Sequence, residues 1–276
     1  MFTDTHIHLY LPEFKNDLGL LIEKANNKNI QRFFLPNIDS STIESMLRVA
    51  DEFPGQMFPM IGLHPCSVNK NFEKELEIIK QFLDKPPIQL NYQKEAEPGQ
   101  PLINSGGHFW AAIGEIGIDL FWDKSFVLDQ ELAFRRQVEW SVEKKLPIVI
   151  HSRNSTGEII NILAEMKKPL KGIFHCFSGT IEQAEKILSL GNFKLGIGGV
   201  VTFKNSGLDK VVAEVDLKDI VLETDAPYLA PVPFRGKRNE PEYLFEVAKK
   251  IAEIKGVSVE EVGDITTANS FEIFGK

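Results

Sequence analysis

The fold class this chain predicts is α/β, a single closed (β/α)8 barrel with its active site at the C-terminal ends of the strands. Two observations carry the expectation. Short apolar, β-branched or aromatic runs alternate with helical patterns along the 276 residues, and five of the six histidines fall at or just after the ends of those runs. Strict β-then-α alternation points to a parallel sheet, and about 250 residues is the usual length of such a barrel. An open doubly wound sheet gives a similar local pattern, so the placement of the polar residues decides between the two.

The first run, residues 2–9, precedes a helical pattern at 17–28; the second, 30–36, precedes 40–52; the third, 57–63, precedes 72–84. Then come 111–117 with 129–145, 147–151 with 156–167, 172–176 with 181–190, 193–198 with 208–215, and the eighth run at 220–224. Short apolar runs bounded by turn residues read as buried strands, and apolar positions three and four apart read as amphipathic helices. After the eighth strand, a Pro-rich loop at 227–238 and helical stretches at 241–255 and 259–274 are expected to complete the outer ring. Residues 85–107 break the rhythm, with Pro86, Pro87, Pro98, Pro101, Gly99, Gly106 and Gly107 and no periodicity. They read as a surface insertion in one domain spanning 1–276; an interdomain linker is the rival, but neither flank has enough elements to close a barrel alone.

Composition narrows the function classes. Hydrophobic residues at 43% and charged residues at 25% are globular values and exclude disorder. The 31 Lys+Arg against 39 Asp+Glu leave −8, which argues against gripping nucleic acid by global positive charge but allows a locally basic mouth. No apolar run approaches the ~18 residues of a membrane span, and residues 1–4 lack signal-peptide features. A cytoplasmic, monomeric protein without a membrane partner is therefore expected. Cys66 and Cys176 form no CxxC, so they read as reduced, semi-buried thiols and not as a metal cage.

In a parallel barrel the strand ends meet at one face, which brings His6, His8, His64, His151 and His175 together; His108 lies by the irregular stretch. His6 and His8 are two apart and share a face, so both can reach one cation, while Thr5 and Ile7 face the helices. Glu115 and Asp225 follow apolar strand residues. A carboxylate there is costly unless it pairs, for instance with Arg153 or Arg235, or binds a metal. Lys124, Arg153, Lys204, Arg235, Lys237 and Arg238 fall on the loops of the same mouth and are candidates to hold phosphates. Phe121, Trp122, Phe203, Tyr228 and Phe234 share those loops, either to stack on unpaired bases or to cap the core.

Six motifs run in order along almost the whole chain: DTHIH at 4–8, GLHP at 62–65, GEIGID at 114–119, HSR at 151–153, FHCFSG at 174–179 and ETDAPYL at 223–229. Together they resemble the TatD family of metal-dependent deoxyribonucleases. The resemblance implies a TIM barrel of the amidohydrolase-like group, two divalent ions, and 3′-to-5′ exonucleolytic hydrolysis of single-stranded DNA by a hydroxide held between the ions. It implies that His6, His8 and Asp225 hold one metal, that His151 and His175 hold the other, and that Glu115 bridges them. His64 then meets a substrate phosphate, and Asp225, beside the attacking water, accepts its proton. Asp225, Glu115 and His64 are thus the expected catalytic residues, and His64, Arg153, Lys204, Arg235, Lys237 and Arg238 the substrate-binding ones.

Two divalent ions with four neutral imidazoles and two carboxylates carry about +2, which favours an anionic substrate. Imidazole-rich ligation suits Zn, Mn, Fe or Ni, whereas the resembled enzymes use Mg; Mg or Mn in turnover, with Zn, Fe or Ni as bound metal, covers both. RNA is a second nucleic-acid candidate. The chain departs from the family at the insertion, at Asn154 where an aspartate is common, and at Leu120 where an aromatic is frequent. Two other readings differ in class. One is ester or amide hydrolysis, including D-aminoacyl-tRNA deacylation, although Glu115 stands where many cyclic amidohydrolases use a modified lysine. The other is a non-catalytic scaffold, which has no need of converging buried carboxylates.

Overall fold

The computed structural model describes residues 1–85 and 109–275. Strands β1 (Phe2–Asp4), β2 (Ile30–Leu35) and β3 (Met57–Pro59) are interleaved with helices α1 (Leu18–Asn27), α2 (Ile43–Glu52) and α3 (Phe72–Asp84). Then follow β4 (Ile113–Asp119), α4 (Val127–Lys144), β5 (Ile148–Arg153), α5 (Thr156–Met166), β6 (Lys171–Phe174), α6 (Ile181–Ser189), β7 (Asn192–Ile197), α7 (Leu208–Glu214) and β8 (Ile220–Leu222). Helices α8 (Leu244–Lys255) and α9 (Val259–Phe274) end the described chain. The expected insertion, apart from Lys85, lies outside the described residues. None of the described helices is long and apolar enough to cross a membrane.

All strand pairs are parallel, in the orders β1-β2-β3 and β4-β5-β6-β7-β8. Two seams join these runs. At one, Ile61 bridges Ile113, with Ala111 N donating to Pro59 O at 2.8 Å and Gly114 N to Ile61 O at 2.9 Å. At the other, Thr5 N donates to Leu222 O, Asp225 N to His6 O and His8 N to Ala226 O, each at 2.9 Å. With both seams bonded the sheet has no free edge, so the barrel is closed and the open-sheet alternative falls.

Some boundaries move. β1 ends at Asp4, because past it the backbone alternates partners between neighbours, with Ile7 N donating to Phe34 O at 3.1 Å and Thr5 N to Leu222 O. β4 extends to Asp119, because Ile118 and Asp119 pair with Ser152 and Arg153. The largest difference is α9, which was expected in the outer ring. Instead it lies across the N-terminal end of the strands: Asn269 Nδ2 donates to Ile220 O and Leu217 O at 2.7 Å each, and Lys194 Nζ meets Glu272 at 2.9 Å.

The reason is apolar. Val149, Ile173, Val221, Phe34, Phe58 and Met60 form an inner cluster that includes Ile273 and Phe274 from α9. Phe274 stacks on Phe34 with centroids 3.8 Å apart, and Phe34 stacks on Phe58 at 4.9 Å. This plug fixes what lies above it. Two residues along the same strands, alternation puts His151, His175 and Glu223 on the inward face. Replacing fully buried Phe34 with Ala removes the centre of the stack and is expected to cost about 3–5 kcal/mol. A lower midpoint in denaturant unfolding at unchanged slope checks it. Phe274→Ala in the same background should add less than its separate cost, because the rings are in contact.

Candidate metal centre

Strand pairing delivers the side chains. Gly117 sits at φ +153°, and a Cβ there would overlap the His151 carbonyl. The β4 and β5 backbones therefore approach closely enough for Glu115 and His151 to meet. Asp225 occupies the left-handed region at φ +56° and donates its N–H to His6 O, which turns its carboxylate toward His6 and His8. Beneath them, buried Asp4 accepts from His6 N at 3.2 Å, Thr224 N at 3.0 Å and Thr224 Oγ1 at 2.6 Å, pinning the two chain segments together. Burial raises its pKa to about 8 in spite of these bonds.

Glu115, 2% exposed, is the hub. Its Oε2 lies 3.1 Å from His6 Nε2 and 3.9 Å from His8 Nε2, while its Oε1 lies 2.9 Å from His151 Nδ1, 3.4 Å from His64 Nε2 and 3.5 Å from His175 Nε2. One carboxylate thus faces two groups of imidazoles with its two oxygens. Asp225 Oδ1 adds to the first group, 3.5 Å from His8 Nε2 and 3.9 Å from His6 Nε2.

The far nitrogens of the histidines decide what the near ones can do. His8 Nδ1 is 3.0 Å from Tyr10 Oη, whose proton goes to Pro36 O at 2.5 Å, so His8 Nδ1 carries the hydrogen and Nε2 presents a lone pair. His151 spans two carboxylates, Nε2 to Asp119 Oδ2 and Nδ1 to Glu115 Oε1, each at 2.9 Å. Burial disfavours its charged form but the two carboxylates outweigh it and raise its pKa, so Nδ1 would become a ligand only where a cation replaces its proton. Glu223 Oε1 lies 3.1 Å from His175 Nδ1, and a Cβ at Gly196 would overlap its other oxygen. His64 is built the other way. Its Nδ1 accepts from Cys66 N at 3.0 Å, so its Nε2 bears the proton and faces the centre as a donor. Proximity groups His64 with Glu115 and His151 as possible ligands, but this tautomer fits an anion donor.

Electrostatics agrees with a cation-binding donor set. Burial would raise the pKa of Glu115, but His64, His6 and His175 outweigh it and hold the carboxyl well below its usual range. Asp225 is likewise lowered, burial being overcome first by His175. Burial, reinforced by His175 stacked 3.5 Å away, pushes His6 down to the neutral form a ligand needs. His175 is penalised by burial yet raised to about 10 by Glu223, Glu115 and Asp225. Three carboxyl groups around it favour positive charge there, supplied by a proton or a cation. Burial pushes the nearby Cys176 thiol up, although its sulfur lies within reach of the His175 and Asp225 donor atoms, and Cys66 is exposed.

All six expected ligands and His64 are therefore brought together, and the mouth cations are divided. Arg153 lies over Phe121 with Cζ 4.1 Å from the ring centroid, and Arg235 over Phe203 at 3.7 Å. Lys204 and Arg235 share a shallow recess of about 620 Å³, and Lys237 is exposed with its Nζ 6.0 Å from the Phe234 ring centroid. Arg238 is already engaged within the chain: it pairs with Asp17 at 2.6 Å and Glu240 at 3.1 Å and donates to Glu13 O, a brace between loops. Phe234 stacks on Tyr243 at 3.9 Å. Asp119 and Glu223 are missing from the sequence-derived set, although their even spacing from Glu115 and Asp225 was a usable signal. Asp119 supplies the carboxylate behind His151 that Asn154 cannot.

A family model described as TatD related DNase matches residues 3–275. YabD of Bacillus subtilis, an uncharacterized metal-dependent hydrolase, is 36% identical over 276 residues, 99% of each chain. The crystal structure of YjjV, a TatD homologue from Escherichia coli K12, matches with a TM-score of 0.87 at 28% identity, covering 100% of this chain and 98% of that one. An uncharacterized amidohydrolase from Saccharomyces cerevisiae, at 20% identity and a TM-score of 0.75 over 99% of both chains, shares the fold.

The divided roles of Glu115 and His64 can be separated by metal analysis of dialysed protein. Glu115→Ala should lose at least half of the bound divalent metal, because both groups of imidazoles lose their shared oxygen donor. His64→Ala should retain a near wild-type content while turnover falls. Full metal retention in Glu115→Ala would exclude the hub, and a loss of one ion in His64→Ala would make His64 a ligand.

Proposed function

Because the chain belongs to the TatD-related DNase family and is a metal-dependent hydrolase, we propose that it hydrolyses phosphodiester bonds of DNA, removing nucleotides from the 3′ end of single strands. The observation that carries this reading is Glu115, whose two oxygens face two separate groups of imidazoles. Such a hub suits a pair of divalent ions, which when bound would supply Lewis acidity at the phosphate and a nucleophilic water at neutral pH.

His6, His8 and Asp225 would hold one ion, His151 and His175 the other, with Glu115 between them. Asp225, its carboxyl held ionised and less deeply buried than Glu115, takes the proton that the attacking water sheds. His64 directs its Nε2–H to a non-bridging phosphate oxygen, while its Nδ1 stays fixed by the Cys66 amide. Lys204, Arg235 and Lys237 would meet phosphates further along the strand. Asp119 and Glu223 keep the imidazoles of His151 and His175 turned inward.

End-labelled single-stranded DNA, single-stranded RNA and D-aminoacyl-tRNA, each with Mg or Mn and with or without chelator, test the reading. Stepwise shortening of DNA from its 3′ end, abolished by chelator, is expected. Deacylation without strand cleavage would replace the nuclease reading with an esterase one. Alanine at Lys204, Arg235 and Lys237 together should flatten the dependence of log affinity on log salt by roughly two units, at about 0.7 per phosphate contact on single strands. An unchanged slope would show that these loops do not meet the backbone.

A further inference from the structure

Beside the metal centre lies a second feature, a recess of about 520 Å³ that reaches His175. Its walls come from the loops after β4, β5 and β6. One side is Phe121 with the Arg153 guanidinium lying over its ring, and Trp122 packs at right angles to Phe121, centroids 4.9 Å apart. Phe121 and Trp122 are 48% and 66% exposed, unusual for rings of this size on a chain with a net charge of −8.

These rings are held in place. Asp119 Oδ1 accepts from the backbone N–H of Phe121 at 2.8 Å and of Trp122 at 3.0 Å, while Asp119 Oδ2 accepts from His151 Nε2. One carboxylate therefore fixes both the aromatic wall and a candidate ligand. The recess itself suits an uncharged planar group. Arg153 is matched by Glu158 within the lining, and Ser152, Asn154 and Ser178 supply neutral polar atoms for the edges of a heterocycle. The shallow recess under Arg235 is different: it carries Lys204 and Arg235 with no carboxylate and includes none of the metal-centre residues, which fits phosphate.

We propose that the recess between Phe121–Arg153 and His175 is a nucleobase subsite, which takes the base of the terminal nucleotide while its phosphodiester lies over the metal centre. The proposal rests on the nuclease reading above and adds what that reading leaves open: the enzyme recognises the base as well as the phosphates. A volume near 520 Å³ accommodates one nucleotide. Stacking against the ring is sequence-tolerant, because every base has a π-face.

The test is a cycle between protein and substrate. Two single-stranded DNA oligonucleotides are compared, one intact and one lacking the base of the nucleotide at the end from which cleavage proceeds. Wild type should prefer the intact strand in kcat/KM by about tenfold or more, the range expected for one base–aromatic stack. In Phe121→Ala and in Arg153→Ala the preference should collapse toward one. A variant that merely misfolds loses activity on both strands equally and keeps the ratio, so the ratio separates a base subsite from general damage. Absence of a preference in wild type, or a preference that survives in both variants, overturns the subsite. Failure of wild type to cleave either strand overturns the nuclease reading with it, and is distinguished by that total absence of cleavage.

Discussion

Removing a carboxylate from water into a protein interior costs several kcal/mol unless partners replace its hydration. Glu115 meets this demand with five imidazole nitrogens between 2.9 and 3.9 Å. Those imidazoles come from the segment after β1, from the segment after β3, from β5 and from the residue just past β6, so no single stretch of chain could assemble them. Only a ring of strands whose ends face one point brings them to one carboxylate. The closed seams, the Asp4–Thr224 pin beneath them and the tight β4–β5 approach at Gly117 all serve that convergence.

Much of this was legible in the sequence because it depends on local periodicity. Alternation along a strand places His6 with His8, and strand order places His151 and His175 at the same end as Glu115. The inward-facing Val149, Ile173 and Val221 lie two residues before His151, His175 and Glu223, so the same period separates the apolar plug from the polar centre. The six motifs named the family. Asp119 and Glu223 obey the same period and were readable, but a carboxylate behind a ligand shows its role only when its partner's position in space is known.

What was not legible depends on contacts distant in sequence. Arg235 and Arg238 are three residues apart on one loop, yet one lies over Phe203 while the other is locked to Asp17, far away in the chain. Composition treats the two cations alike; only the fold separates them. The course of α9 is a similar case. Its apolar stripe announces burial but does not say against what, and the answer is the mouthless end of the barrel, where Phe274 meets Phe34.

Asp119 places a restriction on how such an enzyme can diverge. Its two oxygens serve different clients, the imidazole of His151 on one side and the amides of Phe121 and Trp122 on the other. Asparagine could keep only one of these arrangements, because an amide presents a single acceptor oxygen. Glutamate would carry the group about one carbon too far for both. Selection acting on the aromatic wall therefore cannot work through this position without disturbing the His151 imidazole. Variation among descendants of such a barrel is steered instead to the exposed tips of the loops, where Phe121, Trp122 and Arg153 can change one at a time while the carboxylate beneath them stays.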